Sequence, residues 1–333
     1  MPKINEKAHT IIFDREDWLA GEDNLNVSST LNDYGNGLTT SENFDPYISL
    51  GYARPAHDTT AVTDSGSVLT ADISQMIVYG DDGYAIEGEV GGNRRIQKIS
   101  NITSSPAFVN AGTYPHTISS VYKLWDIITY SVASNTRIFY SYSNNSVWDI
   151  GMLDPSTGTF DDDFMSTVPA SPLNTPYTTG GAGNVDHPMY VMSNNKMYIG
   201  DRNFVHVYDS QVGANGTFYA NQLDLPVGYQ IIDFVEWNSF LVIFANAITG
   251  TSLTGGSSKR PMAFFWDTFS SSFTYVKTCK GFEVFCADIY QDSILINVSG
   301  PNPNTRGGST RMLLFDGNEF QDMCYYGTKE QGG

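Results

Sequence analysis

Short apolar runs broken by Gly, Asn, Asp and Ser recur from about residue 70 to the end of the chain. The runs are too short for helices and rich in β-branched and aromatic residues, the pattern of strands bounded by tight turns. One unit repeats. An apolar strand ends in an aromatic residue or Leu followed by Asp, a polar turn comes next, and Phe opens the following strand. Its copies are Trp148-Asp149 running to Asp154 and Phe160, Tyr208-Asp209 with Phe218, Trp266-Asp267 with Phe273, and Phe315-Asp316 with Phe320. The turn-opening residues Asp154, Asp209, Asp267 and Asp316 lie 55, 58 and 49 residues apart. Asp at such a position accepts backbone N–H groups two residues on, while Gly or Asn supplies positive φ. The flanking aromatics then fall on adjacent strands, where they can pack together.

Two further strand-like runs precede each unit. Residues 126–131 and 137–142 precede the first, 187–192 and 196–200 the second, 231–235 and 241–245 the third, and 284–289 and 294–298 the fourth. A fainter copy over 69–100 lacks the aromatic-Asp pair. Four strands in each repeat of about 50 residues is the arithmetic of a propeller blade. The expected fold is therefore all-β: a β-propeller of antiparallel four-stranded blades, five of them recognised, with six or seven left open. Tandem β-sandwiches are the alternative, disfavoured by the fixed strand order within each repeat. The expected division is an N-terminal arm or closing segment over 1–59, the propeller over 60–326 and a flexible tail over 327–333. Residues 41–55 are rich in Pro, Gly and Tyr without a period. They predict an extended assembly arm carrying Phe44, Asp45, Pro46, Tyr47, Tyr52 and Pro55.

Composition narrows the function. Only 16% of the 333 residues are charged, against roughly 25% in ordinary soluble domains. The net charge of -18 excludes a nucleic-acid interface, which needs clustered Lys and Arg. Three cysteines, Cys279, Cys286 and Cys324, show no paired spacing; the first two are expected as buried thiols. The N-terminus has no apolar signal core, and no run of 18 apolar residues occurs, so a chain made in a cytoplasm and spanning no membrane is expected.

Local signatures of chemistry are absent. His9, His57, His116, His187 and His206 show no metal-ligand spacing, and neither a nucleophile elbow nor a phosphate loop occurs. Asp161-Asp162-Asp163 and Asp81-Asp82-Gly83 are candidate Ca2+ turns, though neither has calcium-loop spacing and solvated carboxylates are the simpler reading. Asp126, Asp149, Asp233 and Asp288 lie near strands and could converge on a central channel, as propeller glycosidases require. Tyr140, Tyr142, Tyr325 and Tyr326 are candidate exposed aromatics for sugar or protein contacts.

The stretch from Lys196 to Asp209, the stretch Leu223–Tyr229 and the segment Phe44–Pro55 resemble propeller-type structural proteins of tailed bacteriophages. The resemblance is one of pattern over about residues 44–324. It implies a virion component in the tail, neck or capsid surface, with no catalytic residues to carry over; the residues themselves point to no cofactor and no metal beyond the candidate Ca2+ turns. The implied partners are other virion proteins and copies of the chain itself, with a host-surface glycan as a further candidate. The alternative is a propeller that binds or hydrolyses glycans through channel carboxylates.

Overall fold

A computed structural model describes residues 4–5, 10–11, 44–49, 52–55, 73–90, 93–118, 121–132, 135–144, 148–167, 187–213, 216–247, 260–290, 292–299 and 310–326. Contacts divide the chain into two compact units, Met1–Val62 and Thr63–Gly333. In the first, β1 (Ile4–Asn5) pairs antiparallel with β2 (Thr10–Ile11), and β3 (Phe44–Ser49) with β4 (Tyr52–Pro55). The arm residues Phe44, Asp45, Pro46, Tyr47, Tyr52 and Pro55 lie on this second hairpin. Their side chains and residues 327–333 lie outside the described residues.

The second unit consists of five antiparallel sheets, each built from strands in chain order. Blade 1 holds β5 (Ile73–Tyr79), β6 (Asp82–Val90), β7 (Asn93–Ser100), β8 (Ala107–Phe108) and β9 (His116–Ile118), the last two both pairing with β7. Blade 2 holds β10 (Val121–Val132), β11 (Asn135–Asn144), β12 (Trp148–Asp154) and β13 (Thr159–Asp161). Blade 3 holds β14 (Met189–Val191), β15 (Met197–Asp201), β16 (Phe204–Asp209) and β17 (Thr217–Asp224). Blade 4 holds β18 (Tyr229–Trp237), β19 (Phe240–Ala247), β20 (Met262–Trp266) and β21 (Tyr275–Thr278). Blade 5 holds β22 (Val284–Tyr290), β23 (Ser293–Ser299), β24 (Thr310–Phe315) and β25 (Phe320–Tyr326). The first strands contact one another in the order β5, β10, β14, β18, β22 and so form the innermost ring. The fold is a β-propeller, with five blades among the described residues.

Alternation along each strand sends side chains to two blade interfaces. In β11, Ile138 and Tyr140 join the core shared with blade 1, while Phe139 joins the core shared with blade 3. In β19, Leu241 and Ile243 face blade 3, and Val242 and Phe244 face blade 5. Four apolar layers thus fill the four spaces between consecutive blades. A fully buried aromatic or aliphatic side chain contributes about 1.5–3 kcal/mol in such a layer. The runs read as solid apolar rather than alternating because both faces are covered.

The repeated turn unit has a clear geometry. Asp154 Oδ1 accepts the Ser156 N–H at 2.9 Å, Asp209 that of Gln211 at 3.0 Å, Asp267 that of Phe269 at 2.9 Å, and Asp316 that of Asn318 at 3.0 Å. Tyr208 pairs in register with Phe218, and Phe315 with Phe320, whose rings lie 4.9 Å apart. In blade 2 the residue opposite Phe160 is Leu153. Trp148 starts β12 opposite Ser143, and its side chain lies outside the described residues. In blade 4, Phe273 packs on Phe264, while the Trp266 indole N–H reaches the Ser270 carbonyl at 2.7 Å.

Two expectations about exposure change. Tyr140 and Tyr142 lie within β11 and are buried, because they form part of the blade 1–2 core. Cys279 is buried but Cys286 is exposed, because it follows an irregularity in the innermost strand of blade 5.

Candidate functional site

Four of the five innermost strands share a defect. Register shifts fall between Ile73 and Gln75, Leu124 and Asp126, Ile231 and Asp233, and Val284 and Cys286. Each marks a β-bulge, one extra residue that bends the strand and re-aims the side chain after it. The residues so placed are Gln75, Asp126, Asp233 and Cys286. The bulge also explains how Leu124 and Ile127 share one core, and Ile231 and Phe234 another, although three-residue spacing in a regular strand would send them to opposite faces.

The two aspartates repeat one pattern. Asp126 Oδ1 accepts the N–H of its own successor, Ile127, at 2.9 Å, and Oδ2 accepts the Met189 N–H of blade 3 at 2.8 Å. Asp233 Oδ1 accepts the Phe234 N–H at 2.8 Å, and Oδ2 accepts the Ala287 N–H of blade 5 at 2.7 Å. Gln75 of blade 1 adds an amide N–H to Asp126 at 2.7 Å. Each carboxylate therefore ties its own inner strand to that of the next blade, and Asp126 ties three blades together.

Burial governs the electrostatics. Desolvation pushes the Asp126 carboxyl above its ordinary range despite three N–H donors. Desolvation also raises Asp233 to about 7, with further upward pressure from the Asp126 and Asp288 charges. Asp288 is exposed on β22 and accepts the Ile289 N–H at 2.7 Å. Tyr190 of β14 is raised by burial and feels Glu236, Asp288 and Asp233. Asp126, Asp233 and Asp288 thus gather at the innermost ring, as the sequence suggested they could.

Asp149 belongs elsewhere. It sits on the third strand of blade 2 and accepts N–H bonds from Ile150 at 2.7 Å and Ser166 at 3.2 Å, the latter from the short helix Phe164–Thr167. Desolvation raises it to about 6.

The candidate Ca2+ turns are occupied by protein contacts. Asp162 meets His116 Nε2 at 2.9 Å and accepts the Tyr140 hydroxyl, and Asp163 accepts the Tyr142 hydroxyl at 3.2 Å. Asp81 accepts Thr103 N–H at 3.0 Å, and Asp82 pairs with Lys98 at 2.8 Å. Among the described residues no group of three His, Cys, Asp or Glu side chains is placed to hold a metal ion. Nor does any described helix have the length and apolarity to cross a membrane.

Other polar fasteners join the blades, and sequence reasoning did not single them out. Asn246 reads Val284 on both sides, its Nδ2 donating to the carbonyl at 2.9 Å and its Oδ1 accepting the N–H at 2.7 Å. The Tyr130 hydroxyl donates to the Asn195 carbonyl at 2.8 Å and accepts the Ser210 N–H at 3.1 Å. Glu236 accepts the Ser193 N–H at 2.7 Å and its hydroxyl.

No family model matches the sequence, and no curated protein does. Solved structures match the fold. One is a putative 6-phosphogluconolactonase from Bacteroides uniformis, 9% identical, with a TM-score of 0.50, covering 84% of this chain and 76% of its own. Another is an α-L-arabinofuranosidase from Clostridium thermocellum, 12% identical, with a TM-score of 0.40, covering 79% of this chain and 96% of its own. The Dos1 propeller is 12% identical, with a TM-score of 0.42, and the match spans 77% of this chain and 60% of that one. At such identities the likeness is one of fold alone.

Proposed function

We propose that the protein is a non-enzymatic assembly module of a tailed-phage particle, in the tail, neck or capsid surface. One observation carries the non-enzymatic part. The ring aspartates Asp126 and Asp233 accept backbone N–H groups of the neighbouring blades, which makes them fasteners of the scaffold. The virion part rests on the resemblance in the segments Phe44–Pro55, Lys196–Asp209 and Leu223–Tyr229. Partners are then other virion proteins and further copies of the chain, met through loops and the arm hairpin. Mass spectrometry of gradient-purified particles tests this reading. The chain in fixed stoichiometry with the capsid or tail proteins is expected; its absence from intact particles overturns it.

A glycan-directed role is the second reading, and it has an observation of its own. Asp233, held at about 7 beside Asp126 and Asp288, has the property a carboxyl acid catalyst needs. Turnover of any member of a glycan panel, lost on Asp233→Asn substitution, favours that reading over assembly.

A further inference from the structure

Blade 3 buries two histidines and an aspartate that neither the turn unit nor the inner ring uses. His187 precedes β14, Asp201 ends β15 and His206 lies within β16, and all three are buried. His206 Nε2 lies 3.2 Å from Asp201 Oδ2, and its Nδ1 is 2.9 Å from the Asn221 backbone N–H, which donates to it. A ring nitrogen that accepts an N–H carries no proton, so His206 is the neutral tautomer with its Nε2–H directed at Asp201.

The accepted N–H occupies a telling place. In the β16–β17 ladder Val205 pairs with Leu223 and Val207 with Tyr219, so residues 220–222 of β17 stand opposite His206 alone. Asn221 has a φ of +49°, the left-handed region. The imidazole therefore stands in for a backbone carbonyl where the ladder is interrupted. β17 is the outer strand of its blade, and residues 219–222 are exposed.

His187 leans the same way. Its Nδ1 lies 3.0 Å from the Gly200 carbonyl and 4.0 Å from Asp201 Oδ1, and its Nε2 meets no polar partner among the described residues. The charged and titratable groups acting on it are Asp201, His206 and Arg202. Burial outweighs the attraction of Asp201 and holds its pKa below the ordinary histidine range.

We propose that His206 is an acid-sensitive clasp: a solvent proton taken up at its Nδ1 expels the Asn221 N–H and releases β17 while the other blades stay folded. A cationic ring has two donors and no acceptor, so the Asn221 N–H then faces a donor instead of a lone pair. A proton at His187 Nε2 would add a second cation to the same buried cluster, beside Arg202, and drive the opening further.

Hydrogen exchange resolved by peptide, corrected for intrinsic rates, tests the clasp at pH 7.5 and 5.0. The control strand is β21, the outer strand of blade 4, a blade with no histidine. Protection of β17 should fall more than tenfold in acid while that of β21 holds. In His206→Asn the amide oxygen can still accept the Asn221 N–H but cannot be protonated, and β17 should stay closed at pH 5.0. Equal loss from both strands, or no loss from β17, overturns the proposal in the wild type alone, even if the variant fails to fold. A folded variant that opens in acid like the wild type overturns it as well.

Discussion

Asp233 and Asn246 show how single side chains hold blade 4 to blade 5. Asn246 satisfies both backbone groups of Val284. Asn246→Ala leaves an N–H and a carbonyl at a part-buried site unpaired, at a cost of about 2 kcal/mol; denaturant unfolding reads it as a lower midpoint at unchanged slope. Asp233 makes its contribution depend on pH. The unfolded chain ionises it near the ordinary 3.8, the folded chain near 7. Between those values the folded state holds a proton that the unfolded state lacks, so its stabilising term is full at low pH and is lost as pH rises towards 7. Asp233→Asn does not titrate. The stability of wild type minus variant should therefore shrink from pH 5 to pH 8; a constant difference contradicts the raised pKa. His187 has the opposite sign. Its folded pKa is lowered, so the unfolded chain takes up the proton first and stability falls as pH drops below about 6.5. His187→Asn, which can keep a donor for the Gly200 carbonyl, should flatten that acid limb in urea melts.

At the scale of elements, the hairpin that joins β14 to β15 is docked on blade 2 by Tyr130, whose hydroxyl both donates to Asn195 and accepts from Ser210. Tyr130→Phe keeps the ring in its core and removes both bonds, so a loss of about 1–2 kcal/mol is expected from thermal or urea unfolding. The four-strand blade and the Asp-opened turn were legible in the sequence because they depend on local chemistry: an Asp carboxylate two residues before a free N–H, and runs bounded by Gly, Asn and Ser. The bulges are not legible in the pattern of apolar runs, although they leave a trace. Leu124-Trp-Asp-Ile127 and Ile231-Ile-Asp-Phe234 repeat an apolar residue, any residue, Asp and an apolar residue. That three-residue apolar spacing breaks strand periodicity and marks the aspartate that points to the next blade. The Trp148-Asp149 pair suggests an aromatic partner for Phe160, yet the residue opposite Phe160 is Leu153. Likewise Tyr140 and Tyr142 looked available for contacts, but burial is set by blade-on-blade packing, which local pattern does not report.

For the whole molecule, a set of polar side chains joins each blade to the next. The axial aspartates, Asn246, Tyr130 and Glu236 all bridge consecutive sheets, and the apolar layers between them supply the bulk of the cohesion. The meeting of Asp126, Asp233 and Asp288 depends on the ring of inner strands, since Asp126 lies 107 residues before Asp233 and Asp233 lies 55 before Asp288. Under the proposed assembly role, the acidic, Lys-poor composition suits a part that works through surfaces in many copies. Cleavage of the chain to remove residues 1–59 should then reduce incorporation into particles, scored by quantitative mass spectrometry, while leaving the propeller folded by circular dichroism.

The inner-ring carboxylates fasten blades, and under the proposed function they do not catalyse. A glycan-panel hydrolysis assay with the wild type and Asp233→Asn side by side tests it most directly. The account predicts the same background release from both proteins on every substrate; turnover by the wild type that disappears in the variant, with the variant still folded, would contradict it.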